Sequence, residues 1–430
     1  MSRWIRGGGI AAVVAGLAAG LLAVGAATGA PPEPPAPKAR TAHPVDPLIA
    51  LQSQLRVQPG NYRAWSDLGL GYLQRARVTA DPTYYPKAEG AFASSLRLHP
   101  KDNVDALVGQ AALATARHEF AQGLALVDRA LRVDGYSAFA YGIRTDALTE
   151  LGRYAEARAA AQRMLDLRPG TDAFARASYQ LELRGDVPGA RAAMQRAYDD
   201  AASPGDRAFT LYYLGELAWN DGDRAGARRW YDAAAAADPT YLPARTGQAR
   251  ALAASGDATA ALAVYRDAVQ AQPQPAYVVE LGELLEATGQ QQAAREQYAV
   301  VRATEQLFAA SGANVDLELA LFEADHGSAA RALAAGAAAY RARPQSVLAE
   351  DAYAWALYRA GHVREALAMS RHAQRLGTRL PYLRYHLGVI AAAAGDRRTA
   401  RTALAQALAL NPSFNPLQAP AARRLLGSLS

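Results

Sequence analysis

The chain has 430 residues, of which 51% are hydrophobic, and it carries a formal net charge of +6. It contains no cysteine, which excludes disulfide frameworks, cysteine–zinc sites, thiol catalysis and a lipid anchor on an N-terminal cysteine. The positive charge forms no basic cluster interleaved with aromatic residues, so we expect no nucleic-acid partner.

The first 45 residues have the composition of a targeting segment. Arg3 and Arg6 precede an uncharged stretch, residues 7–30, that is long enough to cross a bilayer. Arginines on this side predict export of the chain that follows. Small residues at 24–30 also suit a signal peptidase. Residues 1–30 are therefore predicted to be either a cleaved signal peptide or a transmembrane anchor, and the proline-rich residues 31–45 an extended linker.

A set of spaced residues between 211 and 273 recurs 34 residues further along the chain, as from Pro239 to Pro273. The first copy comprises Leu214, Gly215, Ala218, Gly222, Ala227, Tyr231, Ala234 and Pro239, and the second Gln248, Ala249, Leu252, Gly256, Ala261, Tyr265, Ala268 and Pro273. This period and these residue types resemble tandem tetratricopeptide repeats, in which each unit is a pair of antiparallel helices. The resemblance implies an all-α, right-handed solenoid of about ten helix pairs.

Within one unit, each type of residue that recurs between the repeats is predicted to occupy a particular position. Gly222 and Gly256 are expected to form the turns with positive φ, and the prolines to end the second helices. Gly215 is expected to face Ala227 where the two helices press together. Tyr231 and Tyr265 are expected to fill the space toward the next unit.

Related spacing covers residues 46–430. We predict an N-terminal sub-array at 46–206 and a C-terminal sub-array with a capping helix at 207–430, joined by the irregular segment 199–206. Seven extra residues near 77–87 predict a loop, with Tyr84 and Tyr85 folded back on the array. The second helix of the seventh unit is predicted to continue toward Ala310. An array of this length is expected to be elongated.

The sequence indicates no catalysis and no metal or cofactor. None of the seven histidines lies in an H-x-x-x-H or H-E-x-x-H pattern, and no phosphate-binding glycine loop occurs. Asp325 and His326 are adjacent, which is a poor geometry for a catalytic dyad, and we interpret them as a helix cap.

The resemblance also implies a concave groove lined by the first helix of each pair. The predicted groove residues are Asp146, Tyr179, Glu182, Tyr212, Glu216, Trp219, Asn220, Glu283, Glu286, Trp355 and Tyr358. Carboxylates would attract a basic segment, and aromatic rings would supply contact area and cation–π interactions. The alternative is a solvated acidic face whose aromatic residues partly serve packing between repeats. The lysines and asparagines of the family's clamp for a C-terminal carboxylate are absent from the matching positions.

These features predict a non-catalytic adaptor, at or beyond the outer face of the cytoplasmic membrane, that binds a protein or peptide with a basic or apolar segment. If residues 1–30 are not cleaved, they would also bind the membrane. Two alternatives remain at this stage: an assembly or secretion chaperone, which would bind many clients, and a cell-wall protein that binds or hydrolyses glycans.

Overall fold

A computed structural model describes residues 46–429, and every regular element in this range is a helix. The predicted signal or anchor at 1–30 and the predicted linker at 31–45 lie outside the described residues. The first eleven helices are α1 (Pro47–Val57), α2 (Tyr62–Thr79), α3 (Tyr84–Leu98), α4 (Val104–Ala116), α5 (Phe120–Val133), α6 (Ala138–Glu150), α7 (Tyr154–Leu167), α8 (Thr171–Glu182), α9 (Val187–Asp199), α10 (Pro204–Asn220) and α11 (Arg224–Ala237). The next eleven are α12 (Leu242–Ala254), α13 (Ala258–Ala271), α14 (Pro275–Ala287), α15 (Gln291–Ala310), α16 (Asp316–His326), α17 (Ala329–Ala342), α18 (Val347–Arg359), α19 (Val363–Ala373), α20 (Pro381–Ala393), α21 (Arg397–Leu410) and α22 (Gln418–Ser428).

Helices α2 to α21 form ten consecutive pairs, each packed on the next, with α1 before the first pair and α22 after the last. We number them pair 1 (α2 and α3) to pair 10 (α20 and α21). The predicted all-α solenoid of helix pairs with a C-terminal helix is confirmed. Helix α9 packs directly on α10, across the predicted joint. The division into sub-arrays at 206 stays a prediction.

The turns inside the pairs follow from a repeated glycine–aspartate dipeptide. Gly222 has φ of 80° and Gly256 has φ of 93°, as predicted, because glycine has no β-carbon to clash in this region. The following aspartates cap the second helices. Asp223 accepts from the Gly226 amide at 2.8 Å, and Asp257 accepts from the Ala260 amide at 3.0 Å.

Inside a pair, Gly215 lies against the ring of Tyr231, and its predicted contact with Ala227 stays a prediction. A β-carbon added at Gly215 would lie 2.5 Å from the Tyr231 ring, and one added at Gly247 would lie 2.6 Å from the same ring. Tyr231 is fully buried between the first helix of its own pair and that of the next pair. The small residues therefore make room for an aromatic ring that joins two units.

Two irregular segments were predicted with different success. The extra residues of pair 1 do not form a long loop. They extend α2 to Thr79, and Ala80 ends it in the left-handed conformation with φ of 51°. Tyr85 is fully buried, which agrees with its predicted folding back. Helix α15 does continue to Ala310, and Gly312 follows it with φ of 82°.

The array winds into a superhelix whose second turn contacts its first, which was not predicted, and the expected elongated shape stays a prediction. We call this contact between turns the seam. Its bonds are Gln272 Nε2 to the Val78 carbonyl (3.1 Å), His118 Nδ1 to the Asn314 carbonyl (2.8 Å), the Val347 amide to the Tyr154 hydroxyl (2.9 Å), the Thr378 hydroxyl to the Leu183 carbonyl (2.5 Å) and Asn411 Nδ2 to the Trp219 carbonyl (2.7 Å). The partners lie 192 to 196 residues apart, which is between five and six units.

Candidate partner-binding site

The structure buries most of the predicted groove residues. Tyr212, Glu216 and Trp219 are each 1% exposed. Six more predicted groove residues are at most 9% exposed, namely Asp146, Tyr179, Glu182, Asn220, Glu283 and Trp355. Glu286 and Tyr358 are half-buried. The expectation that the array's own packing leaves these side chains free is wrong, because helix pairs on both sides of the seam cover them. Their contact with a partner stays a prediction.

Two of the acids among these residues, Asp146 and Glu216, bind arginines of the following first helix. Arg176 donates to both oxygens of Asp146, at 2.9 and 2.7 Å. Arg250 lies between Glu216 at 3.0 Å and Glu280 at 3.1 Å. The Tyr231 hydroxyl also donates to Glu216, at 2.7 Å. The interior of the superhelix is thus a network of ion pairs and hydrogen bonds.

Sequence reasoning missed these arginines as partners of the acids. Asp146 and Arg176 are 30 residues apart, and Glu216 and Arg250 are 34 apart. Opposite charges on successive first helices, at about the repeat spacing, are the signal that could have found them. The same reasoning does not extend to Glu150, whose partner Arg343 lies 193 residues away across the seam.

Burial also changes the protonation of the acids inside the superhelix. It raises the pKa of Glu182 to about 8, and the neighbouring Glu216 raises it further, while a hydrogen bond from Asn220 at 3.3 Å opposes the shift. Burial raises the pKa of Glu150 to about 7 despite the nearby Arg343. Transfer from water into the protein interior disfavours the charged carboxylate, which explains why the pKa values of both acids are raised. These acids cannot act as simple exposed charges for a basic ligand.

Asp325 and His326 contact different partners rather than each other. Asp325 accepts from the Trp355 indole at 2.9 Å, which joins α16 to α18. His326 lies 3.1 Å from a carboxylate oxygen of Glu283 and stacks on Tyr298 with ring centroids 4.2 Å apart. The two side chains hold neighbouring units together, and their geometry is not that of a catalytic dyad.

A cavity of about 260 Å³ lies between the first helices of pairs 6 and 7 and the C-terminal segment 412–423. Its apolar lining comes from Ala253, Ala254, Leu284, Ala287, Pro412, Phe414, Pro416, Ala419 and Pro420, and its polar lining from Arg250, Tyr265, Glu280, Glu283, Ser413, Asn415 and Arg423. Such a mixture, mostly apolar with a few fixed polar groups, is typical of ligand-binding cavities.

The cavity wall is held in place by hydrogen bonds between distant parts of the chain. Asn415 Nδ2 donates to Glu283 at 2.9 Å, and its Oδ1 accepts from the Leu417 and Gln418 amides at the start of α22. Tyr265 donates to Glu280 at 3.0 Å. Only Glu283 of this site was predicted. The remainder was missed because residues 412–423 reach α14 from a distant part of the chain, with Asn415 lying 132 residues after Glu283.

No helix within residues 46–429 is both long enough and apolar enough to span a membrane.

Comparison with known families agrees with the helix-pair geometry. Residues 246–307 match the family described as tetratricopeptide repeat. The match identifies tetratricopeptide repeat sequence at these residues, and the ten stacked pairs have the corresponding helix-pair arrangement. No curated protein sequence matches the chain.

Several solved structures are similar to this chain at low sequence identity. The human IFIT1 dimer with PPP-AAAA is 16% identical, with 77% of each chain covered and a TM-score of 0.47. A tetratricopeptide repeat protein from Parabacteroides merdae is 14% identical, covers 56% of this chain and 97% of its own, and has a TM-score of 0.42. PilW, a type IV pilus biogenesis factor, is 19% identical, covers 46% of this chain and 92% of its own, and has a TM-score of 0.39.

Proposed function

We propose that this protein is a non-catalytic scaffold that binds an extended segment of a partner protein. Tetratricopeptide repeat proteins generally act as protein-interaction scaffolds, and the cavity between α12, α14 and residues 412–423 is the observation that carries the proposal. The cavity has apolar walls and opens at the exposed residue Ala287, so it can receive a side chain from outside.

The lining of the cavity defines the chemistry of the segment. Phe414, Leu284 and the prolines at 412, 416 and 420 supply apolar contact for one aromatic or branched aliphatic anchor. Glu280 and Glu283 lie at the same wall, and Arg250 is already bound between Glu216 and Glu280. A basic residue next to the anchor complements these acids. Of the predicted groove residues, Glu283 lines the cavity, and Glu216 binds the lining residue Arg250.

Peptide binding tests the proposal directly. A fluorescent peptide library with one apolar anchor and a neighbouring lysine, alanine or glutamate would be titrated against the full chain by anisotropy. We expect saturable binding, tighter for lysine than for glutamate and weaker at higher salt because surface charges are screened. Absence of saturable binding by any peptide of the set would contradict the proposal.

A matched pair of substitutions locates the site. Ala287→Trp at the mouth of the cavity is expected to abolish peptide binding. Ala299→Trp, at an exposed alanine of the neighbouring helix α15 and away from the cavity lining, is expected to leave binding unchanged. Equal effects of both substitutions would place the peptide elsewhere.

We also propose that residues 1–30 direct export, so that the array lies beyond the outer face of the cytoplasmic membrane. The proposal rests on Arg3 and Arg6 before the uncharged stretch. Protease added to spheroplasts should degrade the array while a cytosolic control protein survives. Survival of the array alongside that control would refute export. The mass of the mature N-terminus then decides between signal peptide and anchor.

A further inference from the structure

The seam joins two different edges of the array. We call the turns between the two helices of a pair the turn edge, and the loops between successive pairs the loop edge. In the seam, the turn of each of pairs 1 to 5 contacts the loop that follows pairs 6 to 10. A β-carbon added at Gly185 would lie 2.5 Å from the Gly377 carbonyl, and ones added at Gly152 and Gly222 would meet the backbone of Gln345 and Leu410.

The turn edge of the second superhelical turn has the same geometry but is not covered by other described residues. Gly256, Gly289, Gly361 and Gly395 have φ between 80° and 93°, close to the 74° to 80° of Gly152, Gly185 and Gly222. A β-carbon added at any of these four would have no atom within 4 Å. Pair 8 is the exception, because its turn at Gly327 has a different backbone conformation.

The loop edge of the first superhelical turn is exposed and carries apolar side chains. Val57 is 81% exposed, Leu98 46%, Val133 45% and Tyr136 77%. In the loops of the second turn that enter the seam, Thr378 is 1% and Asn411 0% exposed. Exposed apolar side chains at repeated positions along one edge are typical of a surface that binds another protein.

We propose that a second copy of this chain docks its exposed loop edge onto the exposed turn edge of the first, continuing the register of the seam. The seam itself is the argument for this partner, because it shows that these turns and loops are complementary in shape. In the seam, the turn of one pair meets the loop that follows the fifth pair after it. Helix α22 of one copy and α1 of the next lie between pair 10 and pair 1, where they take the place of an eleventh pair. Carried into the next copy, the turn of pair 7 at Gly289 therefore meets the loop of residues 99–103, which follows pair 1.

This contact joins two different surfaces, so it does not close on itself in a symmetric dimer. A head-to-tail contact of this kind adds copies in one direction and produces an open series of oligomers unless the rotation closes a ring. The stacking of units in a solenoid is thereby extended from one chain to the next.

Cysteine cross-linking tests the contact, because the natural chain has no cysteine and each variant carries a single thiol. Gln290→Cys lies on the exposed turn of pair 7, and Lys101→Cys on the exposed loop that follows pair 1. Mild oxidation of the two full-length variants mixed together is expected to give their mixed disulfide dimer as the main product. Each variant alone should give little dimer, since identical edges do not meet.

Arg228→Cys, on the exposed outer face of α11, is the matched control. Mixed with Lys101→Cys, it should not form a disulfide dimer. Equal cross-linking with Gln290→Cys and Arg228→Cys, or no mixed dimer with either, overturns the proposal.

Sedimentation of the full chain in detergent supplies an independent readout. The mass of the unmodified chain should rise with concentration, and Val133→Glu with Tyr136→Glu should abolish that rise while the helical circular dichroism stays unchanged. Both residues are exposed, so the fold does not depend on them. A mass that is the same for both proteins at every concentration contradicts docking through this edge.

Discussion

Asn411 donates its side-chain amide to the backbone carbonyl of Trp219 at 2.7 Å, across 192 residues of sequence. Trp219 lies in the last turn of α10, and its carbonyl also accepts from the Gly222 amide of the following turn at 3.1 Å. The Thr378 hydroxyl makes the same kind of bond to Leu183, at the end of α8. Loops of the second superhelical turn therefore satisfy helix-end carbonyls of the first, which is how this array closes on itself.

Loss of the Asn411 bond is expected to destabilise the whole array. Asn411 is fully buried, and Asn411→Ala removes its bond to the Trp219 carbonyl, which keeps the Gly222 amide as a donor, so it should cost about 0.5–1.5 kcal/mol of unfolding free energy. Urea unfolding followed by circular dichroism measures the change. Gln292→Ala, at an exposed position of α15, is the control and should change stability little. Similar midpoints for both variants would show that the seam contributes no stability.

The Arg176–Asp146 pair is expected to be strongly coupled. Its side chains are 4% and 6% exposed, so Arg176→Met leaves a buried carboxylate without its partner and should cost about 3–5 kcal/mol. Adding Asp146→Asn should recover part of that loss, and a double-mutant cycle measures the coupling. The exposed pair Arg153–Glu156 is the comparison and should couple by about 0–1 kcal/mol. Additive effects at Arg176 and Asp146 would contradict the assigned network.

Stability should fall as pH rises, and Glu182 should account for part of the fall. Its pKa is about 8 in the folded chain against an ordinary value of 4.5, so the folded state holds the proton more tightly. The resulting stabilisation is fully present below pH 4.5 and is lost as pH rises through about 8.

Glu182→Gln keeps a polar side chain beside Asn220 but cannot ionise. We expect it to reduce the loss of unfolding free energy between these pH values by about 2–5 kcal/mol. Denaturant unfolding at several pH values, for both proteins, provides the measurement. Parallel pH profiles for the two proteins would mean that Glu182 titrates normally.

Substitution by alanine is expected to have opposite effects at two glycines, because Gly247 lies against the Tyr231 ring and Gly90 has free space around it. Gly247→Ala puts a β-carbon 2.6 Å from the ring, and the resulting overpacking should cost about 1–3 kcal/mol. Gly90→Ala, on the exposed face of α3 with no atom within 4 Å, should stabilise the chain by about 0.5–1 kcal/mol. Thermal unfolding compares the two, and a neutral Gly247→Ala would show that the register of α12 is wrong.

The local structure of each unit was predictable because it depends on residues close in sequence. The 34-residue period indicated the helix pairs, and the glycine–aspartate turns at 222–223 and 256–257 have the predicted geometry. The extension of α2 was not predicted, because Asp81 and Pro82 suggested a loop that begins earlier than it does.

The seam could not be predicted, because it depends on how small rotations between units accumulate over more than five pairs. Trp219 and Glu216 occupy first-helix positions that look free within one unit, yet the superhelix buries them. Thr378 and Asn411, which make seam bonds, are polar loop residues outside the repeat pattern. Nothing in their local sequence indicated that they would be buried. The contact of Asn415 with Glu283, which builds the wall of the cavity, also depends on a long-range approach, over 132 residues.

The distance between Arg153 and Gln345 tests the closed superhelix most directly. Both side chains are exposed, and the turn at Gly152 contacts the backbone of Gln345. Spin labels on Arg153→Cys and Gln345→Cys, in a chain without other cysteines, report this distance by pulsed electron resonance. The account predicts a single narrow distribution at short distance. A broad distribution, or one centred many tens of ångströms away as stacked helices about 8–10 Å apart would give in an open array, would contradict it.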